Sequence, residues 1–354
     1  MTPGHGNPPR TTSQPVTTGQ PPDTGSTSAT SAMSQAAAVG SVWPVAQHTS
    51  RAQRTGRYLP AAMAHPAKML PALARTAVAT YTAPGDLVLD PMCGIGTTLV
   101  EAVHAGRDAV GVEYEPRWAA LARDGISHAV DAGASGHAAV ATGDARHAPA
   151  LLGADVTGRV RLLMTSPPYG SSTHGRVAAP GTAKVSKWNN RYSDDTTDAA
   201  NLAYRPLPEL LDGFAEILRA CLPLLAPDGT VVLTTRPYRQ HGRLIDLPGA
   251  ALHTATSVGL EPVGRYVALL AGIRGGRLVP RASFFQLANV RGARRAGVPL
   301  QVIAHEDVLV LRKPRPGSTA APAAGPAAVA LASRRLAPPA GGQDADLRGL
   351  PEAA

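Results

Sequence analysis

One stretch, residues 86–114, constrains the fold of this 354-residue chain most strongly, and it reads DLVLDPMCGIGTTLVEAVHAGRDAVGVEY. An apolar run ends at Asp90, a turn with Gly94 and Gly96 follows, and a helical stretch leads to a second apolar run ending at Glu113. This order predicts a strand, a glycine turn, a helix and a parallel strand. Such a turn presents backbone N–H groups to a ligand, and an acid about 20 residues later can take ribose hydroxyls. We therefore expect a nucleoside ligand.

The residues after the second glycine disfavour two common nucleotides. A phosphate-binding loop needs Lys followed by Ser or Thr at the start of the helix, whereas Thr97 and Thr98 follow Gly96 here. A dinucleotide loop needs a third glycine three residues after the second, and that position holds Leu99. The loop is therefore atypical of both ATP and NAD sites.

The form DPMCGIGTT resembles the S-adenosylmethionine loop of amino-methyltransferases that act on nucleic acids. The usual family loop has Phe and Ser where this chain has Cys93 and Ile95. The resemblance implies that the loop binds the cofactor, through Asp90, Pro91, Cys93, Gly94, Gly96 and Thr97. It also implies that Glu113 binds the ribose of the cofactor.

Two further segments extend this cofactor site. His65, Pro66 and Lys68 precede a predicted helix over residues 67–81, and His-Pro alone is a helix-start pattern. A similar His-Pro-x-Lys segment in the same enzymes lines the methionine end of the cofactor, so the resemblance assigns His65 and Lys68 to that end. A third predicted strand leads to Asp144, which would accept the adenine amino hydrogen or simply cap a turn.

A fourth predicted strand runs directly into Ser166, Pro167, Pro168 and Tyr169. The two prolines lack backbone donors and fix φ, so the carbonyl groups around them are held rigidly at the end of the strand. Together with the Ser166 hydroxyl, such a carbonyl could accept the hydrogens of an exocyclic base amine and expose its lone pair. Tyr169 could stack an extruded base, which is worth roughly 1–3 kcal/mol.

The segment TSPPYG resembles the catalytic motif of the N4-cytosine and N6-adenine DNA methyltransferases. The serine form is most similar to the N4-cytosine group, because the adenine enzymes and the related guanine-N2 RNA enzymes usually have Asp or Asn in place of Ser166. In most relatives with the serine form, however, the catalytic segment precedes the cofactor loop. The order here is closer to a group that includes adenine and RNA guanine enzymes, so the substrate base stays open.

Two polar or basic segments are candidates for contact with nucleic acid. Residues 171–206 form a long polar insertion, and residues 271–304 read as a basic loop that has no acid between 271 and 301. The mixture of cations and aromatic rings in the insertion suits phosphate contact and base stacking, and the arginines of the basic loop suit phosphate contact. The candidate residues are Lys184, Lys187, Trp188, Arg191, Arg274, Arg277 and Arg281.

Composition sets the limits of the folded part. Residues 1–50 and 314–354 are rich in Ser, Thr, Pro, Gly or Ala without a sustained apolar period, so we expect disordered tails around a domain at 51–313. The net charge of +9 suits a polyanionic partner. Two cysteines are too few for a disulfide framework or a Cys-based zinc site, and neither a signal peptide nor a membrane span is indicated. These features predict a cytoplasmic protein without a metal.

The alternation of strands and helices predicts a doubly wound α/β sheet. The resemblance implies a mostly parallel, seven-stranded, Rossmann-like methyltransferase sheet with an antiparallel last strand. It also implies transfer of a methyl group from S-adenosylmethionine to a DNA base, first of all cytosine N4, as in restriction-modification systems. The alternatives are an RNA guanine-N2 or adenine-N6 methyltransferase, and a nucleic-acid-binding module that retains the cofactor without catalysis. The oligomeric state is not indicated.

Overall fold

The fold is taken from a computed structural model, which describes residues 40–169, 192–193, 195–198, 200–240, 243–282, 284–295, 297 and 299–315. The strands are β1 (Val42–Trp43), β2 (Leu87–Asp90), β3 (Asp108–Glu113), β4 (Ala138–Thr142), β5 (Val160–Thr165), β6 (Leu225–Thr235), β7 (Tyr238–Gln240), β8 (Arg243–Ile245), β9 (Glu261–Leu269), β10 (Ala271–Arg274), β11 (Arg277–Pro280) and β12 (His305–Arg312). The α-helices are α1 (Ser50–Arg54), α2 (Pro71–Tyr81), α3 (Thr97–His104), α4 (Pro116–Asp131), α5 (Ala148–Leu152), α6 (Leu207–Cys221), α7 (Leu247–Ser257) and α8 (Phe284–Arg295).

Eight of the described strands form one sheet in the order β1-β9-β12-β6-β5-β2-β3-β4. Neighbouring strands from β6 to β4 pair in parallel, and β1 is parallel to β9. Strand β12 is antiparallel to both of its neighbours, β6 and β9. The predicted mostly parallel α/β sheet with an antiparallel last strand is therefore confirmed.

Alternate residues of the central strands divide the core into two apolar layers. Val88 and Leu162 pack with the helices α2, α3 and α4 on one face of the sheet. Leu89 and Leu163 pack with α6 and α7 on the other face. Because both faces are covered by helices, the polar ends of the strands are the part of the sheet that is open to a ligand.

The sheet begins nearer the N-terminus than the expected domain start at residue 51. Val42 and Trp43 pair with Val267 and Ala268, which makes eight strands where seven were predicted. A strand of two residues is too short to show an alternating pattern, so it could not be recognised from the sequence. The other residues expected in the tails, 1–39 and 316–354, lie outside the described residues.

Two predicted elements differ in the structure. The helix expected over residues 67–81 begins at Pro71, because a proline suits the first helical position and Leu70 before it is extended. The segment 271–304, predicted to be a loop, contains the antiparallel β10–β11 hairpin and the helix α8. Gly275 and Gly276 form the turn of this hairpin with φ angles of 52° and 72°, which suit a two-residue turn.

Candidate active site

A cavity of about 920 Å³ opens at the carboxyl ends of β2, β3, β4, β5 and β6 and at the beginning of the antiparallel β12. It brings together most of the site residues that were predicted from the sequence. Those in its wall are His65, Lys68, Asp90, Pro91, Cys93, Gly94, Thr97, Glu113, Asp144, Ser166, Pro167, Pro168, Tyr169 and Arg281. The wall also contains residues that the sequence did not nominate, among them Arg236 and Glu306.

The glycine loop turns through two left-handed residues, Gly94 with φ 55° and Gly96 with φ 73°. A side chain at Gly94 would place its Cβ 3.2 Å from Nε2 of His65, and one at Gly96 would place it 3.1 Å from Cβ of Ala122 in α4. Gly94 thus lies in the cavity wall, whereas Gly96 packs against α4 and starts α3. Glycine is needed at both positions, because L-residues rarely adopt this conformation.

Asp90 ends β2 and is buried beneath the loop. The Thr98 hydroxyl donates to Oδ2 of Asp90 at 2.7 Å, and the backbone N–H of Met92 donates to Oδ1 at 3.2 Å. Burial raises the pKa of Asp90 to about 6, against the opposing effect of these hydrogen bonds. The Asp90 carboxyl therefore fixes the glycine loop through hydrogen bonds on both of its sides.

Glu113 ends β3 and is buried beside the same loop. The backbone N–H of Gly94 donates to Oε2 at 2.7 Å, and that of Glu115 donates to Oε1 at 2.9 Å. Burial raises the pKa of Glu113 to about 7, although both hydrogen bonds favour the charged form. Each carboxylate oxygen keeps a second lone pair, so the group can also accept from ligand hydroxyls.

Asp144 lies after β4, where it caps a short 3-10 helix formed by residues 145–147. Its Oδ1 accepts from the Arg146 backbone N–H at 2.9 Å, and the Arg146 guanidinium bonds both carboxylate oxygens. Burial acts to raise the pKa of Asp144, but the hydrogen bonds and charge of Arg146 outweigh it and lower the pKa. Asp144 therefore caps this turn, and it also lies in the cavity wall.

His65 and Lys68 lie before α2, next to the glycine loop. The His65 ring is buried, contacts the Trp118 ring edge-to-face at a centroid distance of 4.7 Å, and donates from Nδ1 to the Ala67 carbonyl. Burial lowers the pKa of His65 to about 3, so the ring is neutral. The Lys68 ammonium donates to the carbonyl groups of Met63, at 3.0 Å, and His65. Lys68 thus fixes the turn that presents His65 to the loop.

The Ser-Pro-Pro-Tyr segment follows β5 directly, and all four residues lie in the cavity wall. The Arg236 guanidinium lies over the Tyr169 ring, 5.4 Å from its centroid. The Tyr238 ring contacts Tyr169 edge-to-face at 6.3 Å. Burial raises the pKa of the Tyr169 hydroxyl, and the nearby Glu306 carboxylate raises it further. The phenol is therefore neutral, and its ring is oriented by two neighbours.

The nominated arginines of the 271–304 segment have different surroundings. Arg274 donates to the Gln47 carbonyl at 2.8 Å, and Arg281 donates to the same carbonyl at 3.0 Å and to that of Ala46 at 3.3 Å. These two side chains attach the β10–β11 hairpin to the segment before α1. Arg277 is exposed beside the hairpin turn. The other nominated residues, Lys184, Lys187, Trp188 and Arg191, lie outside the described residues.

Neither cysteine has the properties of a nucleophile. Burial raises the pKa of Cys93 well above its usual value, and the charges of Glu113 and Asp90 raise it further. Burial also raises the pKa of Cys221 to about 12, and this side chain packs in an apolar layer of the core. A thiolate is therefore disfavoured at both positions.

The described part of the chain contains neither a metal-binding cluster nor a membrane-spanning helix. No group of three or more His, Cys, Asp or Glu side chains there could hold a metal ion. None of the helices described is long and apolar enough to cross a membrane.

The sequence model of the family described as DNA methylase matches residues 18–124. This segment contains His65, Lys68, the whole glycine loop and Glu113. The resemblance to DNA methyltransferases, predicted from the motifs, is thereby confirmed. Ser166 and the strands after β4 lie beyond the matched residues.

Several solved structures are similar to the chain at low identity. A TehB-like SAM-dependent methyltransferase from Corynebacterium glutamicum is 14% identical with a TM-score of 0.35, over 68% of this chain and 86% of that one. A SAM-dependent methyltransferase from Methanosarcina mazei is 11% identical with a TM-score of 0.37, over 68% and 98%. A precorrin-6y C5,15-methyltransferase from Geobacter metallireducens is 10% identical with a TM-score of 0.39, over 77% and 99%. Because each TM-score is below 0.5, these likenesses bear on neither activity nor substrate.

Proposed function

We propose that this protein transfers a methyl group from S-adenosylmethionine to the exocyclic amine of a DNA base, with cytosine N4 as the first choice. One observation carries the proposal: the glycine loop and its acids share a single cavity with the Ser-Pro-Pro-Tyr segment. A methyl donor and an acceptor amine must meet for direct transfer, and one cavity can hold both. The match of residues 18–124 to the DNA methylase family supports DNA as the substrate.

The residues on one side of the cavity fit S-adenosylmethionine. Glu113 offers buried carboxylate oxygens to the ribose hydroxyls, and Asp144 offers an acceptor to the adenine amine. Asp90, Gly94 and the neutral His65 surround the place where the methionine end would lie. When bound, the cofactor supplies a methyl group activated by a sulfonium.

On the other side of the cavity, Ser166 Oγ and the carbonyl of Pro167 would accept the two hydrogens of the target amine. This arrangement turns the nitrogen lone pair away from the base ring and toward the methyl group. Tyr169 would stack the base for roughly 1–3 kcal/mol. Catalysis then comes from positioning and from dipoles aimed at the reacting nitrogen. No covalent intermediate on the protein is needed, which agrees with the raised pKa values of both thiols.

Two features of the sequence favour different target bases. The serine at position 166 favours cytosine N4, whereas the order of the motifs along the chain favours the adenine and RNA guanine enzymes. RNA guanine N2 and adenine N6 are therefore the second candidates. A role in restriction-modification and a cytoplasmic location belong to the same proposal.

To test this proposal, the protein is incubated with labelled cofactor and either duplex DNA or RNA. The product is then digested, and the methylated nucleoside is identified by mass spectrometry. We expect N4-methyldeoxycytidine from DNA, formed about 10²- to 10³-fold more slowly by the Ser166→Ala variant. N2-methylguanosine or N6-methyladenosine from RNA would refute the first choice and support the second. Cofactor binding without label in any nucleic acid would support the non-enzymatic module instead.

A further inference from the structure

Three neighbouring strands bring together residues that are far apart in the sequence, at the side of the cavity assigned to the base. Strand β6 lies between β5 and β12, and Thr235 of β6 pairs with Asp307 of β12. One position further along, Arg236 and Glu306 both enter the cavity wall, as do the residues that follow β5. The register thus places a carboxylate beside the Ser-Pro-Pro-Tyr segment.

Glu306 has few interactions of its own. Among the described residues it makes neither a hydrogen bond nor an ion pair within 4.0 Å. The charged and titratable groups around it are Arg236 after β6, His305 on its own strand and Tyr169 after β5. Arg281, after β11, lies in the same cavity wall. By contrast, Asp90, Glu113 and Asp144 already accept hydrogen bonds on both carboxylate oxygens.

Methylation of an amine creates a proton that must leave. The nitrogen lone pair forms the new N–C bond, the old S–C bond breaks with its electron pair on sulfur, and the nitrogen then carries one proton too many. The Ser166 hydroxyl and a peptide carbonyl can accept hydrogen bonds, but neither can retain a proton at neutral pH. The residues of the motif itself therefore leave this proton without an acceptor.

We propose that Glu306 is the general base that accepts the proton of the methylated amine, directly or through one water molecule. This inference rests on the proposed function. The carboxylate becomes a neutral carboxyl group as the amine becomes neutral, so charge and protons balance. The carboxyl group releases its proton to solvent after the product leaves.

The electrostatic surroundings of Glu306 suit this role. Burial raises its pKa, and the charges of Arg236 and His305 act against that increase. A carboxyl with a raised pKa is a stronger base at neutral pH as long as it is ionised. Positioned general bases typically contribute 10²- to 10⁴-fold to a rate.

The experiment compares single-turnover methylation by the wild type, Glu306→Gln, Glu306→Asp and the control Glu261→Gln between pH 5.5 and 8.5. Glu261 forms an ion pair with Arg312 at 3.1 Å, on the sheet and outside the cavity wall. We expect the wild-type rate to rise with pH to a plateau, because ionised Glu306 is the active form. Glu306→Gln should be about 100-fold slower or more and lack this rise, while Glu306→Asp regains part of the rate.

The same variants are titrated with cofactor and with the oligonucleotide, whose affinities should stay within threefold of the wild type. A Glu306→Gln rate within threefold of the wild type would overturn the inference, and so would a loss of oligonucleotide affinity equal to the loss of rate. If Glu306→Gln does not fold, Glu306→Asp decides: an unchanged pH dependence overturns the inference and a shifted one supports it. An inactive wild type would overturn the proposed function as well, whereas an active wild type with an equally active Glu306→Gln overturns the inference alone.

Discussion

The two sides of the cavity are built differently, although both lie along one edge of the sheet. On the side of β2, β3 and β4, the three acids Asp90, Glu113 and Asp144 accept hydrogen bonds at 2.7 to 3.2 Å. On the side of β5, β6 and β12, Tyr169 is held by ring and cation contacts, and Glu306 has no hydrogen-bond partner among the described residues.

The difference between the two sides of the cavity suits the different ligands proposed for them, the cofactor and the base. Hydrogen bonds from the protein fix the acids of the first side before a ligand arrives, and such preorganisation reduces the entropy lost on binding. On the second side, Glu306 bonds none of the described residues, so its carboxylate oxygens can accept hydrogen bonds from a base. We therefore expect the first side to control cofactor affinity and the second side to control the rate of methyl transfer.

The largest effect is expected for Ser166→Ala. Loss of one group that polarises the reacting centre should lower the methyl transfer rate by about 10²- to 10³-fold. Cofactor affinity, measured by calorimetry, should stay within twofold. The control is Ser257→Ala in α7, where the hydroxyl donates to the Thr254 carbonyl at 2.9 Å, and its rate should equal that of the wild type. A similar loss of cofactor affinity in Ser166→Ala would contradict the assignment of affinity to one side of the cavity and rate to the other.

A smaller effect is expected for Glu113→Gln, on affinity rather than rate. Ribose hydroxyls that donate to the carboxylate favour its ionised form, so wild-type cofactor affinity should increase as the pH rises through about 7. Loss of charge-assisted hydrogen bonds should weaken binding by about tenfold or more above that pH. Calorimetric titration from pH 5.5 to 8.5 measures both. A pH dependence that survives in Glu113→Gln would contradict the assignment.

Without cofactor, the same residue should make stability depend on pH. Its pKa rises from 4.5 to about 7 on folding, so between these values the folded state holds a proton that the unfolded state has lost. The contribution of Glu113 to stability is therefore greatest below pH 4.5 and decreases as the pH rises to about 7. Thermal denaturation should show a decrease over this range that is smaller in Glu113→Gln.

Gly94→Ala should moderately lower both the stability of the fold and the affinity for the cofactor. Both Gly94 and the control Gly133 have positive φ, 55° and 89°, so alanine at either should destabilise the fold by about 1–2 kcal/mol. At Gly133 the new Cβ meets no atom within 4 Å, whereas at Gly94 it lies 3.2 Å from His65 Nε2. We expect only Gly94→Ala to weaken cofactor binding as well, by about tenfold, equivalent to about 1.4 kcal/mol. Equal cofactor affinities of the two variants would contradict the importance of the loop.

The smallest effect is expected for Arg277→Ala. If the exposed guanidinium contacts a phosphate, its loss should weaken nucleic-acid binding severalfold and reduce the slope of log K against log salt by about one. Thermal stability should not change. Arg281→Ala should instead destabilise the protein by about 1 kcal/mol, because it loses bonds to the carbonyls of Ala46 and Gln47. An unchanged salt slope in Arg277→Ala would remove this side chain from the nucleic-acid contact.

The site residues at the strand ends could be predicted, because each is indicated by the sequence immediately before it. Asp90 and Glu113 directly follow apolar runs, and Ser166 follows one after a single threonine; parallel strands joined by helices end at the same edge of a sheet. The α/β fold and the residues gathered at its edge follow from that rule. The exact strand count did not, because β1 has two residues and is recognisable only through its pairing with β9.

Glu306 could not be identified from the sequence for a different reason. Two adjacent acids, Glu306 and Asp307, follow the first residue of β12, and alternation places them on opposite faces of the strand. Only the register with β6 shows which of the two enters the cavity wall. Glu306 does, whereas Asp307 forms an ion pair with Arg265 at 2.7 Å. The 271–304 segment was similarly ambiguous: Gly275-Gly276 is a hairpin signal, but the bonds of Arg274 and Arg281 to residues 46 and 47 link distant parts of the chain.

The central position of β12 also affects how the protein is made. Until residues 305–312 leave the ribosome, β6 and β9 each lack a neighbour, and their backbone groups form open sheet edges that invite aggregation. The first half of the sheet, β2 to β5, is synthesised much earlier and contains the glycine loop. A copy truncated before residue 305 therefore lacks both Glu306 and the strand that closes the sheet. We expect such incomplete products to be inactive and aggregation-prone, and hence targets for removal.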